Sequence, residues 1–172
     1  MDAVSEHRAY APGELGFAVV TVSDSRRAET DGSGERIRRL VREAGHRVEG
    51  SVLVPDEAAE IRRAVEAYLA SPGVDLVVTT GGTGFSPRDR TVPALAPLFT
   101  AEVPGFGELF RQLSFGEIGA AAMLSRATAG VVGERLLFLL PGSPKAVELA
   151  VSRLILPEAG HLLGQVRRKP GG

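Results

Sequence analysis

The chain has 172 residues, of which 44% are hydrophobic and 24% charged, with a formal net charge of −1. That length supports one domain with a full hydrophobic core, and the near-neutral balance leaves no electrostatic footprint for nucleic acid or an anionic membrane. The absence of cysteine excludes disulfides, thiolate metal sites and a cysteine nucleophile. His7, His46 and His161 stand far apart, without ligand spacing. Apolar runs such as Leu136 to Leu140 fall far short of a membrane span. Met1 to Pro12 has no basic start followed by an apolar stretch, so no secretory signal is read there and a cytoplasmic protein is expected. Arginine supplies 18 of the 20 basic residues and asparagine is missing. Heat adaptation and the codon usage of a GC-rich genome both fit that bias.

Residues 1–15 read as a loose arm. Phe17 to Val22 is a buried-strand pattern that ends in Ser23-Asp24-Ser25. Asp31-Gly32-Ser33-Gly34 then opens a helix whose stripe is Ile37, Leu40, Val41 and Ala44, stopped by Gly45. Val48 to Val54 is a second strand. Pro55-Asp56 starts a second helix with the stripe Ile61, Ala64, Val65, Tyr68 and Leu69. Leu76 to Thr79 is a third strand, running into Gly81-Gly82-Thr83-Gly84. The text from Thr91 to Leu124 is mostly helical, broken at Pro104-Gly105. Ala127 to Leu139 reads as two strands around a Gly133-Glu134 turn, and Pro141-Gly142-Ser143-Pro144 opens one long final helix. Alternating strands and helices of these lengths predict a parallel sheet covered on both faces. The fold class is therefore α/β: a three-layer sandwich with a mostly parallel sheet, helices on both faces and a small β-hairpin. One domain spans 16–164, followed by a basic tail at 165–172.

In such a sheet, ligands bind beyond the carboxyl ends of the strands. Four of the six aspartates fall there: Asp24, Asp31, Asp56 and Asp89. Each alone could be a turn or helix-cap residue, and Asp56 could cap the second helix. Together they repel, by about 4 kcal/mol per pair at 4 Å and an effective dielectric of 20. A visiting cation relieves that repulsion, and hard oxygen ligands suit Mg2+ carried with a phosphate substrate. Thr80-Gly81-Gly82-Thr83-Gly84 can point consecutive N–H groups into one concavity. It is neither a Walker A loop nor a Rossmann fingerprint. Its extension Phe85-Ser86-Pro87-Arg88-Asp89 adds cations and a carboxylate close by. Leu140-Pro141-Gly142-Ser143-Pro144-Lys145 is a second anion-friendly turn at a helix start. No Gly-x-Ser-x-Gly elbow is present, which disfavours Ser-His-Asp hydrolysis.

These runs, with Val22-Ser23-Asp24 and Val54-Pro55-Asp56-Glu57, resemble the MoaB/Mog family of molybdenum-cofactor biosynthesis in chain order from about Gly16 to Leu163. The stretch Pro104 to Ile118, then Leu124-Ser125-Arg126-Ala127, looks most like the MoaB branch. The resemblance implies that molybdopterin attacks the α-phosphate of Mg·ATP, giving adenylyl-molybdopterin and pyrophosphate. It implies that Asp56 and Asp89 are the key carboxylates, holding Mg2+. Asp24, Thr80, Gly81, Gly82, Thr83, Ser86, Ser143 and Lys145 match substrate-binding positions. Arg88 could stabilise developing charge or be a surface residue. Two other readings stay open: a non-catalytic molybdopterin-binding relative, and a nucleotide pyrophosphatase resembling the CinA N-terminal domain. The family resemblance also implies a homo-oligomer built on trimers, with a hexamer expected. Phe106, Phe110 and Phe115, in an apolar stretch whose rings need not all reach the core, are expected at or near subunit contacts.

Overall fold

The computed structural model describes residues 13–168. The first 12 residues of the expected arm and the last four of the tail lie outside the described residues. Six strands form one sheet: β1 (Gly16–Val22), β2 (Arg47–Val54), β3 (Leu76–Thr80), β4 (Ala101–Glu102), β5 (Thr128–Val132) and β6 (Arg135–Leu140), in the order β2-β1-β3-β6-β5-β4. β2, β1, β3 and β6 run parallel, while β5 and β4 pair antiparallel at one edge. The β5–β6 hairpin turns at Gly133-Glu134, as its sequence predicts. The observed architecture is the expected mostly parallel α/β sheet with helices on both faces.

Period-two alternation assigns the strand side chains to two cores. Phe17 and Val19 join Ile37, Phe110, Phe138 and Val147 on one face. That face is covered by α1 (Gly32–Glu43), α4 (Pro104–Ile118), α5 (Pro144–Ala150) and α6 (Leu156–Val166). Ala18 and Val20 face the other way, toward Ile61, Val65 and Leu95 of α2 (Ala58–Leu69) and α3 (Thr91–Leu95).

Four local expectations are corrected. The second helix begins at Ala58, with Glu57 as its N-cap, so Asp56 is not the cap. The break expected at Pro104-Gly105 lies just ahead of it, at 99–103, and Pro104 starts α4: proline sits in the first turn, where its missing N–H has no partner to lose. The short strand β4 just before it carries no sequence signal, because two residues show no period. The final helix is not continuous either. A π-helical turn, Val151–Ile155, joins α5 to α6 just ahead of Pro157, whose ring and missing N–H disrupt the regular ladder. The boundaries move as well. Leu15 is buried and donates its N–H to His46 Nδ1 at 3.3 Å, while Gln165 and Val166 belong to α6.

Phe106 and Phe110 pack into the core of their own chain and present no surface for a direct subunit contact. They lie four apart on α4, on the face turned to the sheet, and Phe110 is only 1% exposed. Phe106 packs edge-on against Phe138 at 5.1 Å between ring centroids. Phe115 falls on the opposite face and is 62% exposed.

Candidate functional site

β1, β2, β3 and β6 all end at the same sheet edge, and the loops that follow them meet there. After β3, Gly81 and Gly82 take φ values of +102° and +63°. A Cβ on Gly81 would lie 2.1 Å from the Val22 carbonyl oxygen. One on Gly82 would lie 2.4 Å from Thr91 Oγ1 and 2.7 Å from Asp56 Oδ2. Both conformation and space therefore demand glycine. Thr91 is buried and locks the loop, its hydroxyl donating to the Gly81 carbonyl at 2.7 Å and its N–H to the Gly82 carbonyl at 3.0 Å. The backbone N–H groups of Gly82, Thr83, Gly84 and Phe85 donate to no acceptor among the described residues. Consecutive unpaired N–H groups in a tight loop form an anion-binding concavity.

The two leading carboxylates flank this loop. Asp56 is 7% exposed and lies against Gly82. Its Oδ1 accepts the Arg90 N–H at 2.9 Å, and Oδ2 takes no hydrogen bond from the described residues. Burial pushes the Asp56 carboxyl above its ordinary pKa; the Arg90 N–H opposes this, and the charges of Asp89 and Asp24 push the same way as burial. Asp89 lies against Gly84, and its Oδ2 accepts the Ser86 N–H at 2.8 Å. Asp24 is exposed and fully engaged. Its Oδ1 accepts the Asp56 N–H at 2.9 Å and its Oδ2 accepts Arg88 Nη2 at 2.7 Å. The Arg88 hydrogen bonds, then the Asp56 N–H, hold the Asp24 carboxyl below its ordinary pKa. Arg88 reaches Glu57 as well, at 2.9 Å, so its guanidinium spans the residues on either side of Asp56.

A cavity of about 460 Å3 opens beside the loop, lined by Gly81 to Gly84 and Asp89 on one wall and by Pro141, Gly142 and Ser143 beneath. Phe110, Ser114, Ile118 and Leu124 make the facing wall, largely apolar. Ser143 caps α5, accepting the Ala146 N–H at 3.2 Å.

Of the residues expected at the site, Gly81, Gly82, Thr83, Asp89 and Ser143 line this cavity. Asp56 supports the loop from behind Gly82. Four lie elsewhere. Asp24 is exposed and holds the Asp56 N–H. Thr80 is buried and donates its hydroxyl to the Pro141 carbonyl at 2.9 Å, tying the two turns together. Lys145 lines a separate groove with Glu117 and Glu148. Ser86 contributes its backbone N–H to Asp89 from an exposed position. Asp31 leaves the acidic cluster: it caps α1 through the Gly34 N–H at 2.9 Å and accepts the Thr21 hydroxyl at 2.8 Å.

Sequence reasoning missed two arginines. Arg26 donates to the Gly142 carbonyl at 2.9 Å and to Ser33 Oγ at 3.1 Å, fixing the second turn. Arg126 donates to the carbonyls of Thr83 at 3.1 Å, Asp89 at 3.3 Å and Gly84. Its guanidinium also lies 5.0 Å from the centroid of the Phe85 ring. Arg26 follows Ser23-Asp24-Ser25 and Arg126 lies in the run from Leu124 to Ala127, but nothing in the sequence ties either to its loop, so only the fold reveals these contacts.

Among the described residues no three acidic or histidine side chains converge into a complete metal cage. Mg2+ commonly takes one or two carboxylates and completes its shell with water and substrate phosphate. A buried carboxylate with one oxygen unbonded, next to a second carboxylate and an anion-binding loop, fits that donor set.

A parallel sheet whose strand ends carry two glycine turns and flanking carboxylates defines an α/β domain for anionic ligands. The family described as a probable molybdopterin binding domain matches residues 18–161. Molybdenum cofactor biosynthesis protein B of Bacillus cereus is 46% identical over 167 residues, covering 96% of this chain and 99% of that protein. A crystal structure of a molybdenum cofactor biosynthesis protein B superposes with a TM-score of 0.89 at 46% identity, covering 92% of this chain and 99% of that one. The tungsten cofactor synthesizing protein MoaB from Pyrococcus furiosus gives 0.84 at 39% identity, covering 92% of this chain and all 100% of its own. The chain belongs to the MoaB/Mog family of molybdenum-cofactor biosynthesis proteins.

Proposed function

We propose that this protein acts in molybdenum- or tungsten-cofactor biosynthesis by adenylylating molybdopterin. The terminal phosphate oxygen of molybdopterin bonds to the α-phosphorus of ATP, the bond from that phosphorus to the bridging oxygen breaks, and pyrophosphate leaves. The observation that carries this reading is the buried Asp56 carboxylate, set against a loop of four unpaired N–H groups with Asp89 on its other flank. The names of the relatives supply the biosynthetic context.

Nucleotidyl transfer needs positioning and charge neutralisation more than a covalent group. The N–H groups of Gly82 to Phe85 bind phosphate oxygens, and Ser143, at the start of α5, adds a hydroxyl and a helix N-terminus across the cavity. Asp24 holds the Asp56 backbone, and Arg88 pairs with Asp24 and offsets part of its charge. The apolar wall of Phe110, Ile118 and Leu124 excludes water from a flat ring system. Asp56 and Asp89 are the residues that would hold Mg2+, which when bound supplies Lewis-acid neutralisation of the phosphates.

Purified protein incubated with ATP, molybdopterin and Mg2+ is expected to yield adenylylated pterin and pyrophosphate in equal amounts. Absence of the adenylylated product overturns the reading. Hydrolysis of ATP-sugar or a dinucleotide in its place identifies a pyrophosphatase, and pterin binding without turnover identifies a non-catalytic relative.

We propose also that copies associate into a trimer-based oligomer, a hexamer being the expected form. Leu109, Phe115, Ile118, Met123 and Leu124 are all at least half exposed and lie along α4 and the turn after it. Exposed apolar side chains in such number are characteristic of an interface.

A further inference from the structure

We propose that Arg126 is a positioning residue that aims both halves of the site at once. Its guanidinium takes the carbonyls of Thr83, Gly84 and Asp89. In a trans peptide the C=O and the following N–H point in opposite directions, and the chain contains no cis bond among the described residues. Each carbonyl drawn toward Arg126 therefore turns one N–H away from it. The Thr83 and Gly84 carbonyls orient the N–H groups of Gly84 and Phe85, two of the four unpaired donors of the anion loop. The Asp89 carbonyl orients the N–H of Arg90, which holds Asp56 Oδ1 at 2.9 Å.

One side chain thus fixes the phosphate cradle and the buried carboxylate in a single frame. The guanidinium does more than hold. Its charge polarises each peptide unit it bonds, which strengthens the N–H on the far side as a donor. Arg126 is itself pinned by its stack on Phe85, and its planar fork suits several oxygens where an ammonium does not. The chemical consequence rests on the adenylylation reading; the geometry does not.

The test compares Arg126→Gln and Arg126→Lys with the unaltered protein. Hydrogen exchange read by NMR is expected to run at least roughly tenfold faster at the Arg90 amide in Arg126→Gln. Exchange at Val77 and Val78 in β3 is expected to stay unchanged, showing an intact fold. Adenylyl transfer is expected to fall roughly a hundredfold, mainly in kcat, as displacement of a positioned group does. Arg126→Lys, which keeps the charge, is expected to recover part of both effects and serves alone if the glutamine variant does not fold. Wild-type exchange at Arg90, or turnover within about twofold of wild type, overturns the proposal. If the unaltered protein makes no adenylylated pterin, the proposed reaction falls. Binding of inorganic triphosphate by calorimetry then replaces turnover, an unchanged affinity in Arg126→Gln overturning the role of Arg126.

Discussion

Asp56 holds a charge in a place that resists it. Burial and the charges of Asp89 and Asp24 raise its pKa, so it binds a proton more tightly in the folded chain than in the unfolded one. The ionised form therefore opposes folding at neutral pH, and this penalty fades as pH falls through the raised value, vanishing below the ordinary 3.8. Asp56→Asn keeps an acceptor for the Arg90 N–H and removes the charge. Its unfolding midpoint at pH 7 is expected to rise by roughly 2–4 °C by calorimetry, with no gain at acid pH. The same variant is expected to lose roughly a hundredfold or more in adenylyl transfer, as is Asp89→Asn. Greater stability with lost activity is the signature of a functional charge; near-wild-type turnover in either variant removes that residue from the metal site. The sequence displayed four aspartates at one edge but could not sort them. Asp31 and Asp24 are set apart from Asp56 by their partners, the Gly34 N–H and the Arg88 guanidinium, and Asp24 also by its exposure; the Asp24 partner comes from 64 residues away.

At the scale of the element, the loop after β3 is the most constrained segment. Gly82→Ala meets Thr91 and Asp56 and forces alanine into positive φ. Denaturant titration is expected to show a loss of about 1–3 kcal/mol, with loss of turnover. Every strand but β4 was legible, because runs such as Phe17 to Val22 are buried on both faces, and such runs are nearly continuous in apolar residues. The helix ends were less so. Pro104 and Pro157 both sit in the first turn of a helix, yet a short strand precedes one and a π-helical turn the other, which the proline alone does not signal. α4 shows the same limit in its aromatics. Phe110→Ala is expected to cost about 3–5 kcal/mol. Phe115→Ala, at an exposed position, is expected to change the isolated chain by less than about 0.5 kcal/mol. Equal costs for the two would contradict the opposite faces assigned to them.

For the whole molecule, the exposed strip on α4 is expected to set the state of assembly. Light scattering at micromolar concentration should give a multiple of the 18.1 kDa chain mass, three or six. Phe115→Asp should lower that multiple while the far-ultraviolet circular dichroism is retained. A monomeric mass for the unaltered protein sinks the association. The edge of the sheet opposite the site has a different character. There Asp75 accepts the Gly16 N–H on one oxygen at 2.7 Å and Arg167 on the other at 2.8 Å, so the described chain enters and leaves at one carboxylate. α2 also ends on this side, at Ala70, which is exposed. Because the chain contains no cysteine, Ala70→Cys creates a single thiol far from the cavity mouth. A maleimide surface coupled there should tether each attached subunit by the side opposite its loops, a defined point of attachment that coupling through surface amines does not give.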